Sequence, residues 1–190
     1  RRLAAALAWL VLDQRDTVAL RCFDQQSRLC VGRATSPGAM DEVLHALVML
    51  SPRGKTDVAS AIDQALAESR RRGIIVLISD LLDDEQRTVA STRRARAAGH
   101  EVLVLHTMHH DELTLDLHQP TSFESMEDDA KLTLSPREVR KSYVDAVRTF
   151  CATIRQGLES AQSHYVLHDT SRRPVDVLAA YLAFRTHARV

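Results

Sequence analysis

Gly73-Ile74-Ile75-Val76-Leu77-Ile78-Ser79-Asp80 carries the strongest structural signal in the chain. Five apolar residues in a row follow a glycine and end on Ser and Asp, with no polar alternation. A strand of that length, apolar on both faces, belongs inside a parallel sheet covered by helices. On its amino side, 57–71 carries Val58, Ala61, Ile62, Ala65 and Leu66 on one helical stripe, closed by Gly73. On its carboxyl side, 85–98 reads as a helix stopped by Gly99, and 101–106 as a second apolar strand, Val102-Leu103-Val104-Leu105. This rhythm of helix, glycine, apolar strand and helix predicts a doubly wound α/β sheet.

Further out, Leu3, Leu7, Leu10 and Val11 share one face of an opening helix. Segments 17–23 and 28–34 read as strands joined by the turn Asp24-Gln25-Gln26-Ser27. Ser36-Pro37 predicts a helix start, with a core face of Val43, Leu44, Leu47 and Val48 running to about Leu50. Ser51-Pro52-Arg53-Gly54 breaks it. The rhythm then lapses: 121–126 and 131–134, around Glu127-Asp128-Asp129-Ala130, predict a small β-hairpin inserted at the edge, over about 115–134. Ser135-Pro136-Arg137-Glu138 is a capping box opening a long helix to about Gln162, and 164–168 and 175–187 read as a last strand and a last helix. No repeat or linker interrupts this, so 1–190 reads as one domain. The first residue, Arg1, is not Met and already lies at a helix without a capping residue, which predicts a fragment cut downstream of something.

Composition narrows the function. The 190 residues carry 25 Lys and Arg against 25 Asp and Glu, so the surplus of cations that nucleic-acid binding needs is missing. Hydrophobic residues make up 45%, enough for a full core, which argues against disorder. The longest apolar run, 3–12, is ten residues; a membrane-spanning helix needs roughly 20, so no membrane segment is expected in this chain. No signal-peptide pattern is read either. Cys22, Cys30 and Cys151 form no C-x-x-C pair and agree with a reducing, cytoplasmic compartment. Cys22 and Cys30 are placed to face each other across a hairpin, although three buried free thiols are the expectation.

In an open parallel sheet, ligands bind at the carboxyl ends of the strands. Asp80 ends the decisive strand, with Asp83 and Asp84 in the loop after it. A carboxylate there suits a hard cation such as magnesium; the plainer expectation for Asp83 and Asp84 is to cap the next helix. Thr56, before the third helix, is either that helix's N-cap or a hydroxyl directed at a metal held by Asp80. Gly54-Lys55-Thr56 is no phosphate loop, because Met49 stands where the required leading glycine belongs. His106, His109 and His110 with Asp111 follow a strand end, yet no second cluster at ligand spacing accompanies them, and solvated loop histidines are the expectation over zinc. Arg70-Arg71-Arg72 and Arg93-Arg94 are expected late in helices, solvated. No Ser sits in a G-x-S-x-G elbow, so no Ser-His-Asp triad is assigned.

Taken in order, Arg1-Arg2-Leu3-Ala4-Ala5-Ala6-Leu7-Ala8, Asp16-Thr17-Val18-Ala19-Leu20, Pro52-Arg53-Gly54-Lys55-Thr56-Asp57, Val76-Leu77-Ile78-Ser79-Asp80-Leu81-Leu82-Asp83, Gly99-His100-Glu101-Val102, Tyr165-Val166-Leu167-His168-Asp169-Thr170 and Val177-Leu178-Ala179-Ala180-Tyr181-Leu182 match one pattern. The chain resembles the carboxyl-terminal part of bacterial proteins of the domain of unknown function 58 family, which are von Willebrand factor A-like. That resemblance implies a Rossmann-like, doubly wound, mostly parallel sheet with helices on both faces, in the strand order 3-2-1-4-5-6. It also implies a metal-ion-dependent adhesion site built from an Asp-x-Ser-x-Ser loop, a Thr and an Asp. Thr56 matches the second element and Asp80 the third. No Asp-x-Ser-x-Ser occurs in the chain, and the nearest imitation, Asp169-Thr170-Ser171-Arg172-Arg173, ends on Arg and lies on another strand. The missing loop and its strand belong directly before Arg1, so a divalent ion, Mg2+ or Mn2+, is expected to bind weakly here at most.

The leading functional expectation is a non-enzymatic protein–protein interaction module that engages its partner through this metal site. The resemblance implies a MoxR-type AAA+ ATPase as that partner. The alternatives are a magnesium-dependent hydrolase or phosphotransferase using Asp80 with Asp83 or Asp84, and a metal-free scaffold whose site has degenerated.

Overall fold

A computed structural model describes residues 1–51, 55–116, 121–124, 131–134 and 136–187. The elements in chain order are α1 (Arg2–Asp13), β1 (Val18–Phe23), β2 (Ser27–Ala34), α2 (Ala39–Met49), α3 (Val58–Glu68), β3 (Ile74–Ser79), α4 (Glu85–Ala97), β4 (Glu101–Met108), α5 (His110–Thr114), β5 (Thr121–Glu124), β6 (Lys131–Leu134), α6 (Pro136–Ser160), β7 (His164–Asp169) and α7 (Val175–His187). β3, β4 and β7 form a parallel three-stranded sheet in that order. β1 and β2 pair antiparallel as a separate ribbon, and β5 pairs antiparallel with β6, the hairpin expected from the sequence.

The central strand shows why the apolar run forms a sheet core. Val102, Leu103, Val104 and Leu105 of β4 are all fully buried, each contributing roughly 1.5–3 kcal/mol by leaving water. Because successive side chains alternate across a strand, Leu103 and Leu105 pack against Leu3 and Leu7 of α1 and Val177 and Tyr181 of α7. Val102 and Val104 face the other way, onto Val58 and Ile62 of α3, Val89 of α4 and Leu158 of α6. The parallel sheet is therefore covered by helices on both faces. α1 also extends beyond it: Ala8 packs with Val31 of β2 and with Val43 and Leu47 of α2.

Gly99 ends α4 as the sequence requires. Its φ of +88° lies in the left-handed region, and a Cβ there would stand 2.7 Å from Nε of Arg72. The His100 amide donates to the Ala95 carbonyl at 3.1 Å and the Gly99 amide to Arg96 at 2.9 Å, a Schellman closure that turns the chain into β4.

Among the described residues the β1–β2 ribbon is not hydrogen-bonded to the β3–β4–β7 sheet, so the two form no single sheet, in keeping with the expectation that the strand between them is missing from this chain. The structure corrects several other expectations. α2 begins at Ala39, because Ser36 uses its hydroxyl to accept the Gly38 amide in a turn rather than to cap a helix. Leu44 and Val48 are exposed, so the buried stripe of α2 is only Ala39, Val43 and Leu47. α3 ends at Glu68, which leaves Arg70, Arg71 and Arg72 beyond the helix instead of in its last turn. The short α5 was not expected from the sequence. Pro52, Arg53, Gly54, the turn Glu127-Asp128-Asp129-Ala130 and the capping Ser135 lie outside the described residues.

Candidate functional site

The loops at the carboxyl ends of β1 and β3 meet the amino-terminal ends of α3 and α4. Asp57 is the N-cap of α3 and accepts the Ser60 amide at 2.9 Å. The guanidinium of Arg87 on α4 reaches both Asp57 carboxylate oxygens, at 3.2 and 3.0 Å. The Ser60 amide and Arg87 together outweigh the effect of burial and hold the Asp57 carboxyl below its usual range. The Asp57 amide in turn donates to the Asp24 carbonyl at the end of β1 (3.0 Å).

Asp83 and Asp84 do what helix N-termini ask of carboxylates. Oδ2 of Asp83 accepts the Val58 amide in the first turn of α3 at 2.7 Å, and its Oδ1 accepts the Asp84 amide. Asp84 is the N-cap of α4, accepting the Arg87 amide at 3.0 Å. Each oxygen of Asp83 accepts a main-chain amide, so this carboxylate stitches two loops together.

Asp80 stands at the end of β3 and is exposed. Its Oδ1 accepts the Leu82 amide at 3.2 Å, while Ser79 accepts the Leu81 amide at 3.1 Å. The loop between them is tight: Leu81 adopts φ +57° and the Asp83 amide donates to the Leu81 carbonyl at 2.8 Å. A branched residue in the left-handed region is strained, and the almost complete burial of Leu81 holds it there. Thr56 is half-buried and does not cap α3, since Asp57 does. Of its two sequence readings, the helix cap is thereby removed.

Thr56 and Asp80 open onto one cleft of about 2140 Å³. Every residue of β1 and every residue of β3 lines it. β3 is as apolar as β4, yet most of its side chains are only half-buried, because the edge away from β4 has no strand beside it among the described residues. Two facing strand edges thus bound a cleft whose carboxyl end carries a hydroxyl and a carboxylate. Both are hard oxygen donors of the kind magnesium takes, and two donors alone fall well short of its octahedral set.

The histidines part company. His106 lies inside β4, completely buried, opposite Ser79 of β3, not in a solvated loop. Its Nδ1 is 2.6 Å from the Tyr165 hydroxyl. His109 caps α5, and His110 is 2.9 Å from Asp169 on β7. Burial opposes ionisation of Asp169, but hydrogen bonds from Ser171 and His110 prevail and hold it at about 2. Among the described residues no three His, Cys, Asp or Glu converge for a metal ion. Asp57 and Arg87 were missed as organisers of this end of the sheet. Asp57 directly before the apolar Val58 was a readable cap signal, whereas Arg87 had none, because its partner is far away in sequence.

No helix among the described residues is long and apolar enough to cross a membrane. No curated protein matches the sequence. The structure is similar to that of the conserved hypothetical protein BatB from Bacteroides thetaiotaomicron, with a TM-score of 0.62 at 16% identity, covering 100% of this chain and 89% of that one. It is also similar to an aerotolerance-related membrane protein from Bacteroides fragilis, with a TM-score of 0.60 at 16% identity, covering 99% of this chain and 87% of that one. At such identities the likeness is one of fold. The family profile described as Protein of unknown function DUF58 matches residues 1–152, and the chain belongs to that family.

Proposed function

We propose that this chain is a von Willebrand factor A-like, doubly wound, non-enzymatic interaction module that holds a divalent ion at the carboxyl end of its sheet and engages a protein partner through it. The observation that carries this reading is the cleft between β1 and β3, with Thr56 and Asp80 at one end of it. An extended segment seated between the two edges completes the sheet and brings the remaining ligands to that end. The Thr56 hydroxyl and the Asp80 carboxylate supply two oxygens, and a partner's carboxylate fills an open position on the ion. The family resemblance names a MoxR-type AAA+ ATPase as the partner. A hydrolase using Asp80 with Asp83 or Asp84 is the weaker reading, because Asp83 and Asp84 already hold main-chain amides at the amino-terminal ends of α3 and α4.

The test is calorimetric titration of Mg2+ and Mn2+ into protein extended upstream of Arg1, beside its Thr56→Ala and Asp80→Ala versions. One ion per chain, weakened about tenfold or more by either substitution, is the expected result. No binding, or binding indifferent to both substitutions, overturns the reading and leaves a metal-free scaffold.

A further inference from the structure

The β1–β2 ribbon carries a pair of cysteines that the candidate metal site does not use. Opposite residues run Phe23 with Ser27, Cys22 with Arg28 and Arg21 with Leu29, and then Leu20 with Val31. Cys30 is the extra residue of a β-bulge, with nothing opposite it. Cys22 stands opposite Arg28, and Cys30 lies two residues further along β2, so the two cysteines are diagonal neighbours across the ribbon. A bulge re-aims the side chain it carries. Here the Cys30 thiol donates to the Arg28 carbonyl at 3.6 Å, bending back toward the rung that Cys22 occupies. The two thiols interact: burial first, and then the Cys30 thiol, push the Cys22 thiol up to about 12. Cys30 is exposed, Cys22 is half-buried, and both line the cleft beside β1; Cys151 is half-buried too, so the expectation of three buried thiols fails. Cys151 sits apart on α6, with its sulfur 3.7 Å from that of Met108.

We propose that Cys22 and Cys30 are a redox site: a dithiol that a hydroperoxide converts reversibly into a disulfide across the ribbon. The exposed Cys30 sulfur attacks the peroxide. Its O–O bond breaks, giving the Cys30 sulfenic acid and one water when the oxidant is hydrogen peroxide. The Cys22 sulfur then attacks the sulfenic sulfur, the S–O bond breaks, and a second water leaves. Two thiols lose two electrons, the peroxide gains them, and both thiol protons end in water. The bond pins β2 to β1 at the bulge, along one wall of the cleft.

The experiment treats the folded chain with stoichiometric hydrogen peroxide and maps it without reductant. Cleavage after Arg21, Arg28 and Arg33 separates 22–28 from 29–33, so the disulfide appears as those two peptides joined, with two hydrogens lost. Free thiols fall from three to one, that of Cys151, and dithiothreitol restores them. In Cys22→Ser the Cys30 sulfenic acid accumulates and is trapped by dimedone; in Cys30→Ser, Cys22 stays reduced. The proposal is overturned if the wild-type chain carries Cys30 on to sulfinic acid with Cys22 free. It is equally overturned if the joined peptides form only in urea, or only between two chains.

Discussion

His106 is polar, fully buried and, among the described residues, bonded through one ring nitrogen only. Its ring meets Phe150 and Tyr165 edge-on, with centroids 5.7 Å apart in both cases. Nδ1 has the Tyr165 hydroxyl, whereas among the described residues Nε2 has no partner of ordinary hydrogen-bond geometry. Burial pushes its pKa below 6.5, against the opposing pull of the Asp80 main chain and carboxylate and of Glu112. The unfolded chain therefore takes up a proton at this residue before the folded one does. Between the lowered value and 6.5, stability falls as pH falls, because the unfolded state binds more protons there. Urea midpoints of the wild type should drop from about pH 7.5 to about pH 5, and His106→Asn should drop less over the same range. Parallel curves for the two proteins assign the pH dependence to other histidines. The sequence placed His106 at a strand end and expected it solvated. Its burial follows from helix α6 bringing Phe150 over it, a contact between positions too distant for local pattern to reveal.

Helices α4 and α6 meet at a residue without a side chain. A Cβ on Gly157 would stand 2.8 Å from Cγ2 of Val89 and 3.4 Å from Oε1 of Glu85. Alanine is favoured over glycine inside a helix by about 1 kcal/mol, but overpacking typically costs about 1–3 kcal/mol, and valine is stiff at χ1. Gly157→Ala should therefore lower stability by about 1 kcal/mol net in urea unfolding. Shortening Val89 to Ala removes the obstructing methyls, so the same glycine change made in that background should instead stabilise. A Gly157→Ala chain more stable than wild type would show that the two helices move apart cheaply. At this scale the elements were largely legible, since α1, α3, β3, α4, β4, α6 and β7 all rest on local apolar period or on caps. What local pattern misses is which neighbour a face receives. Leu44 and Val48 share the helical stripe of Val43 and Leu47 yet remain exposed, and Ser36 mimics a cap while forming a turn two residues short of the helix.

The whole molecule turns on the two strand edges that face the cleft. Asp80 was legible as a site candidate because a carboxylate ending an apolar strand has few structural uses. Thr56 was legible only as one of two readings until Asp57 took the cap. The cleft itself could be read only indirectly, as a strand's place left between 17–23 and the decisive run, because a strand's neighbours are set by topology and not by its own residues. The edge of β3 has a consequence for exchange. In a parallel sheet the amides of a strand point alternately to either side, so about half of the β3 amides face β4 and the rest face the cleft. β4 is paired with β3 from Glu101 to His106 and with β7 from Leu103 to Met108, so only its stretch 103–106 has a strand on both sides. Amide hydrogen exchange of the folded chain should therefore show residues 103–106 of β4 protected throughout and β3 protected at alternate residues only. β1 should repeat that alternation, with protection on the side it shares with β2. When an extended segment occupies the cleft, the fast amides of β1 and β3 should slow together, since one strand bridges both edges. If they slow on only one side, the segment lies along a single edge and the sheet is not closed. Uniform protection of β3 in the chain alone removes the cleft as a strand's place, and with it the reason to expect the Thr56 and Asp80 oxygens to share an ion.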